Sequence, residues 1–225
     1  MREEQFHLKN AMACRHGIRM CNVEMYYDIA EIGVHSRPAL TALNLYIPAG
    51  AKVGIIGKSR AGKSTLLGLL ARLRQPTSGF ILWDGVPLND IDLYDALTLV
   101  LQDTLLFNDT ILANLLLGVK EPPSDAVLKK VLQACAMWDD IQNRPLKLQT
   151  SAGNNGQQFS GGFRQRLSIA RGMLCNRSVF LLDEPTSAQD NECTPVLSST
   201  LGGLTGVRMP ATFLHHVLFL GAGPL

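Results

Sequence analysis

The sequence predicts an α/β fold, and three stretches predict it. Lys52-Val53-Gly54-Ile55-Ile56 and Ser178-Val179-Phe180-Leu181-Leu182 are short apolar runs of buried-strand type. Ser160 to about Leu174 has helical spacing behind a capping serine, with Leu167, Ala170 and Leu174 on one face. Strands interleaved with helices give this class. The 225 residues suffice for one large domain, or for one domain with a small appendage. A hydrophobic content of 46% is ample for a core.

Taken in order, residues 1–17 show no period and read as a leader or linker. Ile18 to Val23 alternates and predicts a strand that runs into Glu24-Met25-Tyr26-Tyr27. The polar stretch with Gly33 and Pro38 predicts a hairpin or loop. Leu43-Asn44-Leu45-Tyr46-Ile47 alternates and predicts a strand, and Pro48-Ala49-Gly50 turns the chain toward the next. Ser64 to Leu70 reads as a helix. Gln75 to Gly79 reads as a turn, Phe80-Ile81-Leu82-Trp83 as a strand, and Asp84-Gly85 closes it. Leu97 to Leu101 is apolar and leads to Gln102-Asp103. Thr110 to Leu117 predicts a helix stopped at Gly118. The spacing of Val127, Leu128, Val131, Leu132, Cys135, Trp138 and Ile141 predicts one amphipathic helix over 124–142. A glycine- and amide-rich loop follows, from Ser151 to Gln158. The block from about 103 to 158 therefore reads as a helical subdomain inserted in the α/β core.

Composition narrows the function. Net charge is +2, from 21 basic and 19 acidic residues, and the basic residues are dispersed. That points away from nucleic acid and anionic membrane surfaces as partners. The five cysteines form no C-x-x-C pair and no ligand spacing with the five histidines, so they read as reduced thiols. No apolar run reaches the roughly eighteen residues that a membrane helix needs.

Three segments carry chemistry. Gly57-Lys58-Ser59-Arg60-Ala61-Gly62-Lys63-Ser64-Thr65 fits the phosphate-binding pattern G-x-x-x-x-G-K-[ST], between a strand and a helix as that pattern requires. Its glycines let backbone N–H groups turn toward phosphate oxygens, and the helix N-terminus adds positive potential. Lys63 would reach the β- and γ-phosphates, and the Ser64 hydroxyl would bind magnesium. Val179 to Glu184 is an apolar strand that delivers two carboxylates, Asp183 and Glu184, at its carboxyl end. Ligands of open α/β sheets bind at that end. The first carboxylate suits Mg²⁺ and the second can orient or deprotonate an attacking water. Ser160-Gly161-Gly162 opens a helix with a hydroxyl and free N–H groups, which serves an anion site and an ordinary glycine-rich cap equally well.

Together these segments make the chain resemble the nucleotide-binding domain of ABC transporters over roughly residues 18–216. The first segment matches Walker A. Ser160-Gly161-Gly162 with Arg164-Gln165-Arg166 resembles the ABC signature, and Val179 to Glu184 resembles Walker B. Pro185 to Asp190 is similar to the D-loop. Gln102 lies at the Q-loop glutamine and Tyr27 at the aromatic that stacks on adenine. The resemblance implies a P-loop NTPase core with a mixed β-sheet, an N-terminal antiparallel β subdomain and an α-helical subdomain of about 103–175. Residues 217–225 form an atypical tail. Gln102-Asp103-Thr104-Leu105-Leu106-Phe107 and Thr150 to Gly156 resemble exporters, and Thr186 to Asn191 is closest to bacterial type I secretion exporters.

The implied activity is ATP hydrolysis that powers export, with ATP and Mg²⁺ as ligands. Such domains work as head-to-tail dimers, with like or unlike copies, around two ATP molecules. Tyr27 would stack on adenine, Gly57 to Thr65 would cradle the phosphates, Ser64 and Gln102 would approach Mg²⁺, and Asp183 would hold it through water. Glu184 would be the general base. Ser160, Gly161 and Gly162 would face the γ-phosphate on the other copy, and Asp190 would couple the two sites. Family spacing puts a switch histidine at His215 or His216, after an apolar strand, with His215 preferred. The partner would be a transmembrane domain, on a separate chain or on a missing part of this one. It would meet Gln102 and the region 103–118, at the cytoplasmic face of the plasma (inner) membrane.

Departures qualify this. Phe163 replaces the signature glutamine, which predicts the loss of a polar group near the nucleotide interface and weakened hydrolysis. Phe159 replaces its leucine, and Asn154 replaces a loop glutamate. The likeness fades after about Cys193, as expected of a truncated or frame-shifted copy. A dimerising ATP-binding module with weak or no hydrolysis is the alternative reading. A non-transport ABC ATPase of DNA repair or translation is a third, and the exporter-like loop at 150–156 argues against it.

Overall fold

In a computed structural model, residues 14–27, 38–58, 60–102 and 104–183 are described, with backbone alone at 9–10, 52 and 216–220. The elements in chain order begin with β1 (Lys9–Asn10), β2 (Gly17–Met25), β3 (Leu40–Pro48), β4 (Lys52–Ile55) and α1 (Lys63–Leu70). Next come β5 (Ser78–Trp83), β6 (Val86–Pro87), β7 (Ile91–Asp92) and β8 (Leu97–Val100). The helices α2 (Ile111–Leu116), α3 (Asp125–Ala134), α4 (Trp138–Gln142) and α5 (Gly161–Cys175) follow, then β9 (Val179–Asp183) and β10 (His216–Leu220).

Two four-stranded sheets organise these elements. The first, β3-β2-β5-β6, is antiparallel throughout. Asp84 and Gly85, both at positive φ, make the two-residue turn between β5 and β6. The second has the order β4-β10-β9-β8. β8 and β9 run parallel, and β10 runs antiparallel to both β9 and β4. β4, β9 and β8 thus share one direction, and their carboxyl ends lie along one edge. The expected mixed core sheet and N-terminal antiparallel sheet are both present.

β9 divides two apolar cores, because successive strand side chains point to opposite faces. Phe180 and Leu182 pack with α2 to α5, among Leu115, Leu132, Ile141 and Leu167. Val179 and Leu181 pack with α1 and the antiparallel sheet, among Leu67, Leu70, Ile18 and Trp83. Gly172 of α5 lets helix and sheet meet: a Cβ there would lie 2.5 Å from the Phe180 ring.

Two expectations need correction. The single helix over 124–142 is two, α3 and α4. Ala136 sits at φ 51, the Met137 N–H donates to Leu132 O and the Ala136 N–H to Gln133 O. This pair of bonds ends a helix in the Schellman manner. The strand read as 80–83 begins at Ser78, inside the stretch read as a turn. Within residues 1–17, Lys9–Asn10 pairs with β7, and Asp84 accepts from the Arg15, His16 and Gly17 N–H groups, each at 2.8 Å. β10 starts at His216 itself and runs through the stretch read as an atypical tail, while residues 211–215, where the sequence reading put an apolar strand, lie outside the described residues.

Candidate nucleotide-binding site

β4 leads straight into the glycine loop. Arg60 at φ 64 and Gly62 at φ 84 bend the chain so that α1 can start at Lys63. Glycine is needed at 62 for a second reason, since a Cβ would lie 2.3 Å from the Ala39 carbonyl oxygen. The Lys63 ammonium folds back over the loop and donates to the carbonyls of Gly57 and Lys58, each at 2.9 Å. It therefore stands inside the curve the loop makes. Ser59 lies outside the described residues. Thr65 is buried, and its hydroxyl lies 2.7 Å from the Tyr27 hydroxyl, which ties the end of β2 to the first turn of α1. The Arg74 guanidinium covers the Tyr27 ring at 4.9 Å.

The carboxyl edge gathers the remaining groups. Ser64 Oγ donates to Asp183 Oδ1 at 3.4 Å, across 119 residues of sequence. The two oxygens would hold Mg²⁺ together, Ser64 directly and Asp183 through water. Hard oxygen donors of this kind fit that ion. Gln102 is exposed, two residues beyond the end of β8. Glu184, Asp190 and His215 lie outside the described residues, as do the D-loop stretch and residues 186–191 that pointed to type I secretion. The His216 backbone pairs with Asp183 on one side and Ile55 on the other, so β10 enters the sheet at the same edge.

The third segment is built into the other core. Ser160 caps α5, and its Oγ accepts from the Phe163 N–H at 3.2 Å. Gly161 is exposed and Gly162 half-buried. Phe163 is 2% exposed and its ring packs on Phe159 in the helical core, away from the solvent face of Ser160 and Gly161. The local period explains this, because residue 163 falls on the same face as Leu167 and Ala170. Sequence reasoning missed Arg74 and Arg144, which touch the aromatic residues of the two segments. Single arginines in turns carry no pattern that would mark them.

This geometry has close counterparts. Residues 40–187 match the family described as ABC transporter. The chain belongs to the ABC transporter family. It has the fold of that family's nucleotide-binding domain, a P-loop NTPase core with antiparallel and helical parts. Its ATP-dependent lipid A-core flippase relative from Methylobacillus flagellatus is 38% identical over 199 residues, covering 87% of this chain and 33% of the relative. The protein of that name from Cupriavidus pinatubonensis is 37% identical over 190 residues, covering 82% and 32%. A solved structure, titled as a bacterial Atm1-family ABC exporter with ATP bound, superposes with a TM-score of 0.76 at 32% identity. It covers 90% of this chain and 36% of that one. This ABC transporter chain thus spans about a third of the length of the curated relatives it matches.

Proposed function

We propose that this chain binds ATP with Mg²⁺ at the carboxyl edge of the β4-β10-β9-β8 sheet and hydrolyses it to power export through a transmembrane partner. One observation carries the reading: Ser64 and Asp183, from the loop after β4 and the end of β9, converge to 3.4 Å. Tyr27 stacks on the adenine, and the N–H groups from Gly57 to Thr65 cradle the phosphates. Lys63 leaves the Gly57 and Lys58 carbonyls for phosphate oxygens, which return more charge for the same donors. Ser64, Asp183 and Gln102 hold Mg²⁺, which when bound offsets the phosphate charge. Glu184 orients the attacking water and takes its proton, and His215 or His216 completes the polar edge. Ser160, Gly161 and Gly162 serve the nucleotide of a second copy. Their placement supports that assignment: they are flanked by Phe159 and Phe163 of the helical core, whereas α1, which follows the P-loop, packs in the other core.

The idle-module alternative rests on Phe163 and the short tail. The relatives at 37–38% identity are named ATP-dependent flippases, which favours the motor reading. The partner has a matching surface. A groove of about 610 Å³ runs along the edge strand β8 to α5, and Leu101, Leu105, Phe107 and Leu117 line it while 45–69% exposed. An apolar surface of this kind suits the cytoplasmic end of a transmembrane domain. The relatives named flippases and the exporter structure support movement of cargo across the inner membrane.

Purified chain tests this. Lys63→Ala is expected to abolish ATP binding measured by calorimetry, and Glu184→Gln to bind ATP while losing turnover. A wild-type hydrolysis rate no greater than that of Glu184→Gln would sink the motor reading.

A further inference from the structure

The two aromatic residues that flank Ser160-Gly161-Gly162 share one cation. Phe159 and Phe163 are both buried, with ring centroids 4.5 Å apart. The Arg144 guanidinium lies 4.9 Å from the first centroid and 4.8 Å from the second. Both contacts are inside the range of cation–ring attraction, about 6 Å. Arg144 Nε is buried without a hydrogen-bond partner, and Arg144 forms no ion pair among the described residues. Asp140, one turn before it, pairs instead with Arg166 at 3.1 Å. The rings are therefore what seats the guanidinium. A planar, weakly hydrated cation suits such a place better than an ammonium does.

These rings occupy decisive positions. Phe159 directly precedes the capping residue, and Phe163 carries the N–H that Ser160 caps at 3.2 Å. A second arginine closes the turn, with Arg164 Nη1 donating to the Phe159 carbonyl at 2.8 Å. Holding the two rings together holds the backbone from 159 to 163, and with it the direction of the Ser160 hydroxyl and the Gly162 N–H.

We propose that Arg144 is a positioning residue, which acts through Phe159 and Phe163 to lock the first turn of α5 in the geometry that presents Ser160 and Gly162 to a γ-phosphate on a second copy. The proposal rests on the ATP reading above. Arg144 itself touches no nucleotide. The clamp supplies by packing the rigidity of a corner whose residue 163 is turned inward.

The test compares wild type, Arg144→Met and Arg144→Lys by amide exchange without nucleotide, then by ATP affinity and turnover. In Arg144→Met the amides of Phe163 and Arg164, which donate to Ser160 Oγ and the Ser160 carbonyl, should exchange about tenfold faster, the scale of two lost cation–ring contacts, while those of Ile169 and Ala170 stay unchanged. Turnover should fall by a similar factor with ATP affinity unaltered, since α1, which follows the P-loop, packs in the other core. Arg144→Lys should fall between the two, because it keeps charge and loses planar stacking. Unchanged exchange at Phe163 in Arg144→Met would overturn the proposal, as would a uniform loss of protection along α5. Wild-type chain that binds ATP without turnover would defeat the hydrolysis reading, while the exchange experiment still decides the clamp.

Discussion

Asp84 shows how one side chain fastens a segment with no pattern of its own. Burial pushes its carboxyl upward, but the N–H groups of Arg15, Gly17 and His16 together outweigh this and hold it below the usual range. The same carboxylate, with burial, raises the neighbouring Cys14 thiol to about 12, so that thiol is un-ionised at neutral pH. Asn at 84 would keep the positive-φ turn and remove the charge. Asp84→Asn should therefore cost roughly 1 kcal/mol at pH 7, the low end for charged hydrogen bonds because solvent screens the site. A carboxyl whose folded pKa is depressed stabilises above its unfolded pKa and loses that contribution as pH falls through the folded value. The difference in melting temperature between wild type and Asp84→Asn should accordingly shrink below about pH 4. A difference that persists unchanged to pH 2.5 would show that the carboxylate charge plays no part. Sequence disclosed Asp84-Gly85 as a turn, yet the three N–H partners lie 67 to 69 residues away and no local signal names them.

Helix starts were legible because a cap is local. Thr110, Ser124 and Ser160 each accept from the N–H three residues on, as hydroxyl caps do. The stop between α3 and α4 was not legible, because Ala136 takes the left-handed position where glycine is the usual marker. Continuous amphipathic spacing through Cys135 and Trp138 hid it further. Burial of Cys135 and Met137 on either side keeps the break in place. Ala136→Gly should relieve the left-handed strain and stabilise the chain by roughly 0.5–1 kcal/mol, read as a higher denaturation midpoint at constant slope. A lower midpoint would mean that the flexibility glycine adds to the unfolded chain outweighs the relief.

At the scale of the molecule, β10 is the keystone of the nucleotide edge. β4 carries the P-loop and β9 carries Asp183, and among the described strands the backbone ladder between them runs through β10, which pairs with both. A proline in such a central strand removes ladder hydrogen bonds at a cost of about 3 kcal/mol or more. Leu218→Pro should therefore separate the two halves of the site: cooperative thermal unfolding should broaden or vanish, and ATP affinity should fall with it. Retained affinity in a cooperatively folded Leu218→Pro chain would show that β4 and β9 hold their spacing without β10. Residues 217–220 read as part of an atypical tail, because their pairing depends on two partners more than thirty residues upstream.

Sequence by itself determined the phosphate-binding loop, the carboxylate strand, the capped glycine corner and the α/β alternation. Each is written in residues within a few positions of one another, where dihedral preference, capping and periodicity act. Tertiary structure decided that Ser64 meets Asp183, that β10 runs antiparallel between β4 and β9, that Phe163 faces the core and that Arg144 sits on it. Those outcomes depend on which faces bury each other across the chain. Their energy lies in long-range packing and strand pairing, which a short window of residues does not contain.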